Sequence, residues 1–148
     1  MLICLALLGL LAGLAASALQ STALELAMTG SEQYRARAFL AADAALAQAI
    51  VALRAAPAGT LPASLAASPL PGMNGDAYQY EIRLIGDDAP LAVASGGLQR
   101  GTHYTVSAEG DSLRGARVTV EAGMLLIHDP AGALLDSRTL YWRRSDVD

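Results

Sequence analysis

Residue types that could carry out chemistry are sparse in this sequence and follow no familiar catalytic spacing. His103 and His128 are the two histidines, and neither belongs to a His-x-His or His-Glu-x-x-His pattern, which would place two metal ligands on one face. No Gly-x-Ser-x-Gly sequence presents a nucleophilic serine, and no glycine-rich phosphate loop follows a predicted strand. We therefore expect no catalytic residue, no metal ligand and no cofactor, and the protein is not expected to be an enzyme.

The other groups that could react or bind a metal are one cysteine and two acidic turns. Cys4 lies inside an apolar run, where a thiol behaves as a small hydrophobic group, and a single cysteine excludes an intramolecular disulfide. Asp87, Asp88 and the turn at 74–76 offer oxygen ligands, but calcium loops need more of them at fixed offsets. We interpret both as solvated turns. The net charge of −4 also argues against a nucleic-acid partner.

The first element that the sequence predicts is a long apolar helix. No charged residue precedes Glu25. About 20 consecutive apolar residues cross a bilayer as a helix, so this run is long enough. We assign residues 1–28 to a transmembrane helical segment. The side chains expected to face lipid or other helices are those of Leu5, Leu7, Leu8, Leu10, Leu11 and Leu14.

A cleaved secretory signal peptide is the alternative interpretation of this segment. Ala16-Ser17-Ala18 has the small residues of a signal-peptidase site. Both interpretations place the rest of the chain outside the cytoplasm. Both also require basic residues before the apolar run, and we expect that a short basic leader was removed or lies upstream of Met1.

The helix is expected to continue beyond the apolar run as an amphipathic half. Residues 29–54 contain no proline and a single glycine, Gly30. Apolar residues recur there every three or four positions, which places them on one stripe of a helix. The stripe predicted to pack on a sheet comprises Phe39, Ala42, Leu46, Ile50 and Leu53.

A loop and an antiparallel sheet are predicted for the remainder of the chain. Prolines and glycines crowd residues 55–76, which we interpret as a connecting loop because proline removes a backbone donor and disfavours helix. Short connections between consecutive strands favour an antiparallel meander. The predicted strands are 77–85, 103–108, 116–127 and 134–142. Residues 77–148 would thus form a β-sheet head, and the expected fold class is α+β.

Two short motifs in the helix resemble the N-terminal signature of PilX-type minor pilins of type IV pilus assembly. The first is Leu-Glu-Leu-Ala-Met-Thr-Gly at 24–30, and the second is Phe-Leu-Ala-Ala-Asp-Ala-Ala-Leu at 39–46. Asp43 stands where glutamate is more usual, and Ile3 and Leu5 occupy the region in which most major pilins carry a glutamate. The resemblance covers the first third of the chain.

The resemblance implies a pilin-like fold, in which a long N-terminal helix packs on a four-stranded antiparallel sheet. It implies an inner-membrane, single-pass protein whose head lies in the periplasm until residues 1–28 enter the core of a pilus filament. The implied function is in a priming or tip complex with other minor pilins, pilus subunits and a tip adhesin. Glu25, Met28 and Asp43 are the candidate assembly contacts.

Two other functions are compatible with the same features. A minor pseudopilin of a type II secretion system would share the helix and the head. A soluble periplasmic binding module would result if the apolar run were a cleaved signal peptide, and its mature N-terminus would be Leu19.

Overall fold

The computed structural model describes residues 2–72, 75–92 and 97–145, with side chains described from residue 9 to residue 144 within those ranges. Helix α1 runs from Leu2 to Ala55. Alanine and leucine are strong helix formers and dominate its sequence, and the helix ends shortly before Pro57 because the residue preceding a proline disfavours helical geometry. The chain separates into two compact units, the N-terminal unit (residues 1–34) and the C-terminal unit (residues 35–148), which are described separately.

Within the described residues of the C-terminal unit, six strands form an antiparallel sheet. The strands are β1 (Leu65–Pro69), β2 (Ala77–Asp87), β3 (Leu91–Ala92), β4 (Leu98–Asp111), β5 (Arg117–His128) and β6 (Leu134–Ser145). The main path has the order β1-β2-β4-β5-β6, and the short β3 pairs with the beginning of β4. The four long strands lie side by side in the sheet in the order in which they occur along the chain. The predicted α+β class is confirmed, because a long apolar helix is combined with an antiparallel sheet.

The expected number of four strands is wrong, because two short strands extend the sheet. β1 lies inside the segment interpreted as a loop, and Pro69 is tolerated at its end because β1 is an edge strand. β3 has two residues and pairs with Leu98 and Gln99, so β4 begins at Leu98 rather than at His103. Neither short strand alternates between polar and apolar residues, which is the pattern by which strands are recognised.

Helix α1 covers one face of the sheet with an alanine-rich stripe. Ala42, Leu46 and Leu53 are buried in the core, and Phe39 and Ile50 are partly buried at its borders. The other core residues are Ala38, Ala45 and Ala49 of the helix and Tyr80, Ile82, Tyr104, Val106, Ala108, Val118, Val120, Ala122, Met124 and Leu126 of the sheet. Because most helical side chains in this core are methyl groups, the helix can approach the sheet closely.

Gly110 of β4 marks the closest approach between the helix and the sheet. A Cβ atom at this position would overlap the Ala38 carbonyl oxygen and the Ala42 amide nitrogen, and it would lie 2.9 Å from the Ala41 Cβ atom. Backbone atoms of α1 and β4 are therefore nearly in contact. Glycine on the strand and alanine on the helix together leave room for this packing.

Candidate assembly surfaces

The N-terminal half of helix α1 (residues 9–34) exposes large apolar side chains. Leu10 and Leu14 are each 67% exposed, and Leu19 and Leu26 are exposed to a similar extent. The helix is long and apolar enough to cross a membrane, a property that it shares with signal sequences and with buried core helices. Three of the predicted lipid-facing leucines precede residue 9, where the described side chains begin, namely Leu5, Leu7 and Leu8.

Hydroxyl side chains in this half of α1 bond to the helix itself. Ser17 Oγ donates to the Leu14 carbonyl oxygen at 2.9 Å, and Thr22 Oγ1 donates to the Leu19 carbonyl oxygen at 2.9 Å. The same type of bond is made by Ser21, Thr29 and Ser31. An unpaired polar group in hydrocarbon costs several kcal/mol, so these bonds make the hydroxyl residues compatible with lipid or with a bundle of helices.

The three candidate assembly contacts all have exposed side chains. Glu25 and Met28 lie on one face of the helix, because residues three positions apart are neighbours on a helical surface. Asp43 belongs to the C-terminal unit, and it has no ion-pair or hydrogen-bond partner among the described side chains. Its carboxylate is therefore available to a cation on another molecule.

The side of α1 that faces away from the sheet also carries apolar residues. Leu40 is 51% exposed and Val51 is 66% exposed. Ala44 and Ala47 lie between them at helical spacing, so the four residues form one apolar stripe along this side. The C-terminal half of α1 (residues 35–55) thus has a buried apolar side and a second apolar stripe that is open to contact.

Sequence reasoning missed a buried ion pair in the C-terminal unit. Arg37 Nε donates to Asp76 Oδ2 at 2.9 Å, and Ser112 Oγ donates to Asp76 Oδ1 at 2.9 Å. The Asp76 side chain is fully buried, whereas Arg37 keeps part of its surface in solvent. The interpretation of Asp76 as a solvated turn residue is wrong, because its carboxylate is enclosed and paired with a cation. Asn74 of the same turn lies outside the described residues.

The sheet surface turned away from α1 is polar, and charged side chains on it form ion pairs with one another. Arg143 Nη2 lies 2.7 Å from Glu121 Oε2, and Tyr141 Oη donates to Glu121 Oε1 at 3.0 Å. The hydrogen bond from Arg143 lowers the pKa of Glu121 below its ordinary value. Further ion pairs join Arg83 to Glu81, Arg117 to Glu109 and Asp111, and Arg138 to Asp136. Such exposed pairs stabilise the fold only slightly, and they favour a hydrated surface over an apolar interface.

Trp142, near the end of β6, packs against the helix. The rings of Phe39 and Trp142 meet edge to face with their centroids 6.2 Å apart. The guanidinium carbon of Arg144 lies 5.9 Å from the centroid of the Phe39 ring. This aromatic and cation–π contact is internal to the fold, although Trp142 remains 49% exposed.

The two histidines have different environments. His103 Nε2 is 3.0 Å from Asp88 Oδ2 in a partly exposed pair, whereas His128 is buried. Among the described residues, no group of three or more His, Cys, Asp or Glu side chains is placed to hold a metal ion. No family model, curated protein or solved structure matches the chain, so its function is inferred from the surfaces above.

Proposed function

We propose that this protein is a minor pilin that takes part in type IV pilus assembly, in a priming or tip complex with other minor pilins, pilus subunits and a tip adhesin. The observation that carries the proposal is the division of helix α1. Residues 9–34 expose leucines, whereas residues 38–53 bury one side against a sheet of the same chain. A filament subunit needs both properties, because its apolar helix is covered by lipid before assembly and by neighbouring helices afterwards.

The positions of the two pilin-like motifs support the same function. The motif at 24–30 lies in the exposed half of α1, and the motif at 39–46 forms much of the helix–sheet contact. Asp43 stands on the exposed side of the second motif, where it can pair with an arginine of a neighbouring subunit. In this proposal the chain is first an inner-membrane protein with a periplasmic head and then a component of the pilus.

Filament formation in the organism that carries the gene tests the proposal. A strain that lacks the protein is complemented with the wild type, with Leu10→Asp or with Leu10→Ile, and surface filaments are counted by electron microscopy. A carboxylate at the centre of a membrane helix costs about 2.5–3.5 kcal/mol on insertion scales, whereas isoleucine keeps the apolar surface. We expect Leu10→Asp to lose the filaments and Leu10→Ile to retain them. Normal piliation with Leu10→Asp would contradict the proposal.

The same strains distinguish the two alternative functions. A minor pseudopilin would change the export of secreted proteins and leave the number of pili unaltered. A soluble periplasmic module would appear in the soluble fraction with Leu19 as its first residue. Either result would replace the pilin proposal.

A further inference from the structure

A cleft of about 300 Å³ lies in the C-terminal unit just past the end of helix α1. Ala58 and Gly59, which follow the helix, form one wall, and the turn between β5 and β6 forms another with Asp129 and Pro130. The volume is at the lower end of the range for small-molecule sites. The cleft is therefore large enough for a ligand of a few heavy atoms.

The floor of the cleft is the place where the helix-facing side of the sheet changes from apolar to polar. Side chains alternate along a strand, so every second residue of β4 and β5 faces this side. On this side β4 carries Val106, Tyr104, Thr102 and Arg100, and β5 carries Met124, Leu126 and His128. The core thus ends in hydrogen-bonding groups rather than in further apolar residues, although Thr102 and His128 are each only 4% exposed.

Three of these groups lack partners within the described part of the protein. Arg100 and His128 are directly opposite each other on β4 and β5, so their side chains stand next to one another. Neither these two side chains nor that of Thr102 has a hydrogen-bond or ion-pair partner among the described residues. His128 is 4% exposed as a whole residue and lines the cleft, so the surface that it keeps is open to a ligand there. An imidazole and a hydroxyl group without protein partners are free to hydrogen-bond to such a ligand.

We propose that this cleft binds a carboxylate that also carries a hydrogen-bond donor, such as a hydroxyl group or a peptide amide. The Arg100 guanidinium offers the planar fork that fits a carboxylate, and His128 and Thr102 supply further hydrogen bonds beside it. Asp87 and Asp129 also line the cleft. Asp129 Oδ1 already accepts a hydrogen bond from the Ala133 backbone N–H, so Asp87 and the second Asp129 oxygen remain to accept from the donor group of the ligand. The two carboxylates repel any anion, and they repel a dianion such as phosphate more strongly than a monoanion that also brings a donor.

The proposed ligand chemistry has two possible sources, and it does not depend on the proposed pilin function. A free hydroxy acid carries a carboxylate and a hydroxyl group, and the C-terminal residue of a polypeptide carries a carboxylate and an amide. Lactate represents the first source and N-acetylglycine the second. N-acetylglycinamide has the same size as N-acetylglycine but no carboxylate, so it is the matched control.

The full-length protein in detergent micelles is titrated with each compound at constant pH and ionic strength, and the histidine ring resonances are followed by NMR. We expect the His128 signals to shift and saturate with lactate or N-acetylglycine and to stay unchanged with N-acetylglycinamide. His103, which is paired with Asp88, serves as the internal reference. Tighter binding of N-acetylglycine indicates a polypeptide C-terminus, and tighter binding of lactate indicates a free hydroxy acid.

A pair of arginine variants decides whether the cleft causes these shifts. Arg100→Gln removes the guanidinium from an exposed position, so the fold should be retained, and Arg138→Gln is the control on exposed β6. Losing a charge-assisted bidentate contact should raise the dissociation constant about tenfold or more in Arg100→Gln, with no change in Arg138→Gln. The proposal is overturned if neither carboxylate shifts His128, if Arg100→Gln binds as tightly as the wild type, or if inorganic phosphate binds more tightly than both.

Discussion

The two halves of helix α1 are both rich in alanine and leucine, yet their leucines have opposite environments. Leu14 in the N-terminal half is 67% exposed, whereas Leu53 in the C-terminal half is 1% exposed. In the C-terminal half the buried residues are mainly small and fall on one stripe, which one sheet can cover. Leucines in the N-terminal half are spread around the helix, and those with described side chains are exposed. The arrangement of apolar residues, rather than their number, indicates which kind of partner a helix needs.

Leu53→Ala tests whether the buried leucines in the C-terminal half of α1 stabilise the fold, and it has the largest expected effect on stability. Truncating a fully buried leucine costs about 2–5 kcal/mol, while Val51→Ala on the exposed side of the same turn should change the free energy of unfolding by less than about 0.5 kcal/mol. Phe39→Ala should fall between the two, because Phe39 is only partly buried. Urea unfolding of the full chain in micelles, followed by the fluorescence of Trp142, measures all three. Equal effects of Leu53→Ala and Val51→Ala would show that the buried stripe has been assigned to the wrong side of helix α1.

Asp76→Ala tests whether the ion pair with Arg37 helps to hold the C-terminal half of α1 in place. Removing one partner of a buried pair is strongly destabilising, and because Arg37 keeps contact with solvent we expect about 3 kcal/mol, the lower end of the usual range. The matched control is Asp136→Ala, since Asp136 pairs with Arg138 on the surface and should contribute less than about 1 kcal/mol. The same unfolding measurement applies. Similar losses for both variants would mean that the burial of Asp76 has no energetic consequence.

Gly110→Ala tests the close approach of helix and sheet, with a smaller expected cost. The added methyl group would overlap the helix backbone at Ala38, and overpacking of this kind typically costs about 1–3 kcal/mol. Gly86→Ala is the control, because an added Cβ at Gly86 meets no atom within 4 Å. Thermal melts of the two variants should differ, with the lower midpoint for Gly110→Ala. An unchanged midpoint for Gly110→Ala would show that the helix can move away from β4 at little cost.

Sequence reasoning succeeded where a local pattern repeats over many residues. The absence of proline up to Pro57 predicts the single long helix, and the alternation after Ala77 predicts β2. It failed for β1 and β3, because strands of five and two residues at the sheet border show no alternation. Their place in the sheet is determined by their neighbours β2 and β4 rather than by their own residues.

The polar sites were hidden from sequence reasoning for a different reason. Arg37, Asp76 and Ser112 are widely separated along the chain, and only the folded helix and sheet bring them together. The cleft residues Arg100 and His128 meet through the register between β4 and β5, which a single sequence does not specify. The only sequence signal for the cleft was a polar residue that follows the apolar residues on the helix-facing side of a strand. Such a residue can be recognised only when it is known which side of the strand faces the helix.

The contrast between the two halves of α1 is tested most directly by cysteine labelling in membranes. Cys4 is replaced by serine, and single cysteines are introduced by Leu14→Cys and Val51→Cys, at side chains that are 67% and 66% exposed in the protein alone. Sonicated membranes, open on both sides, are treated with a charged maleimide before and after SDS. We predict that the Val51→Cys protein is labelled under both conditions and that the Leu14→Cys protein is labelled only after SDS, because lipid covers it. Equal labelling of both proteins in intact membranes would contradict the account.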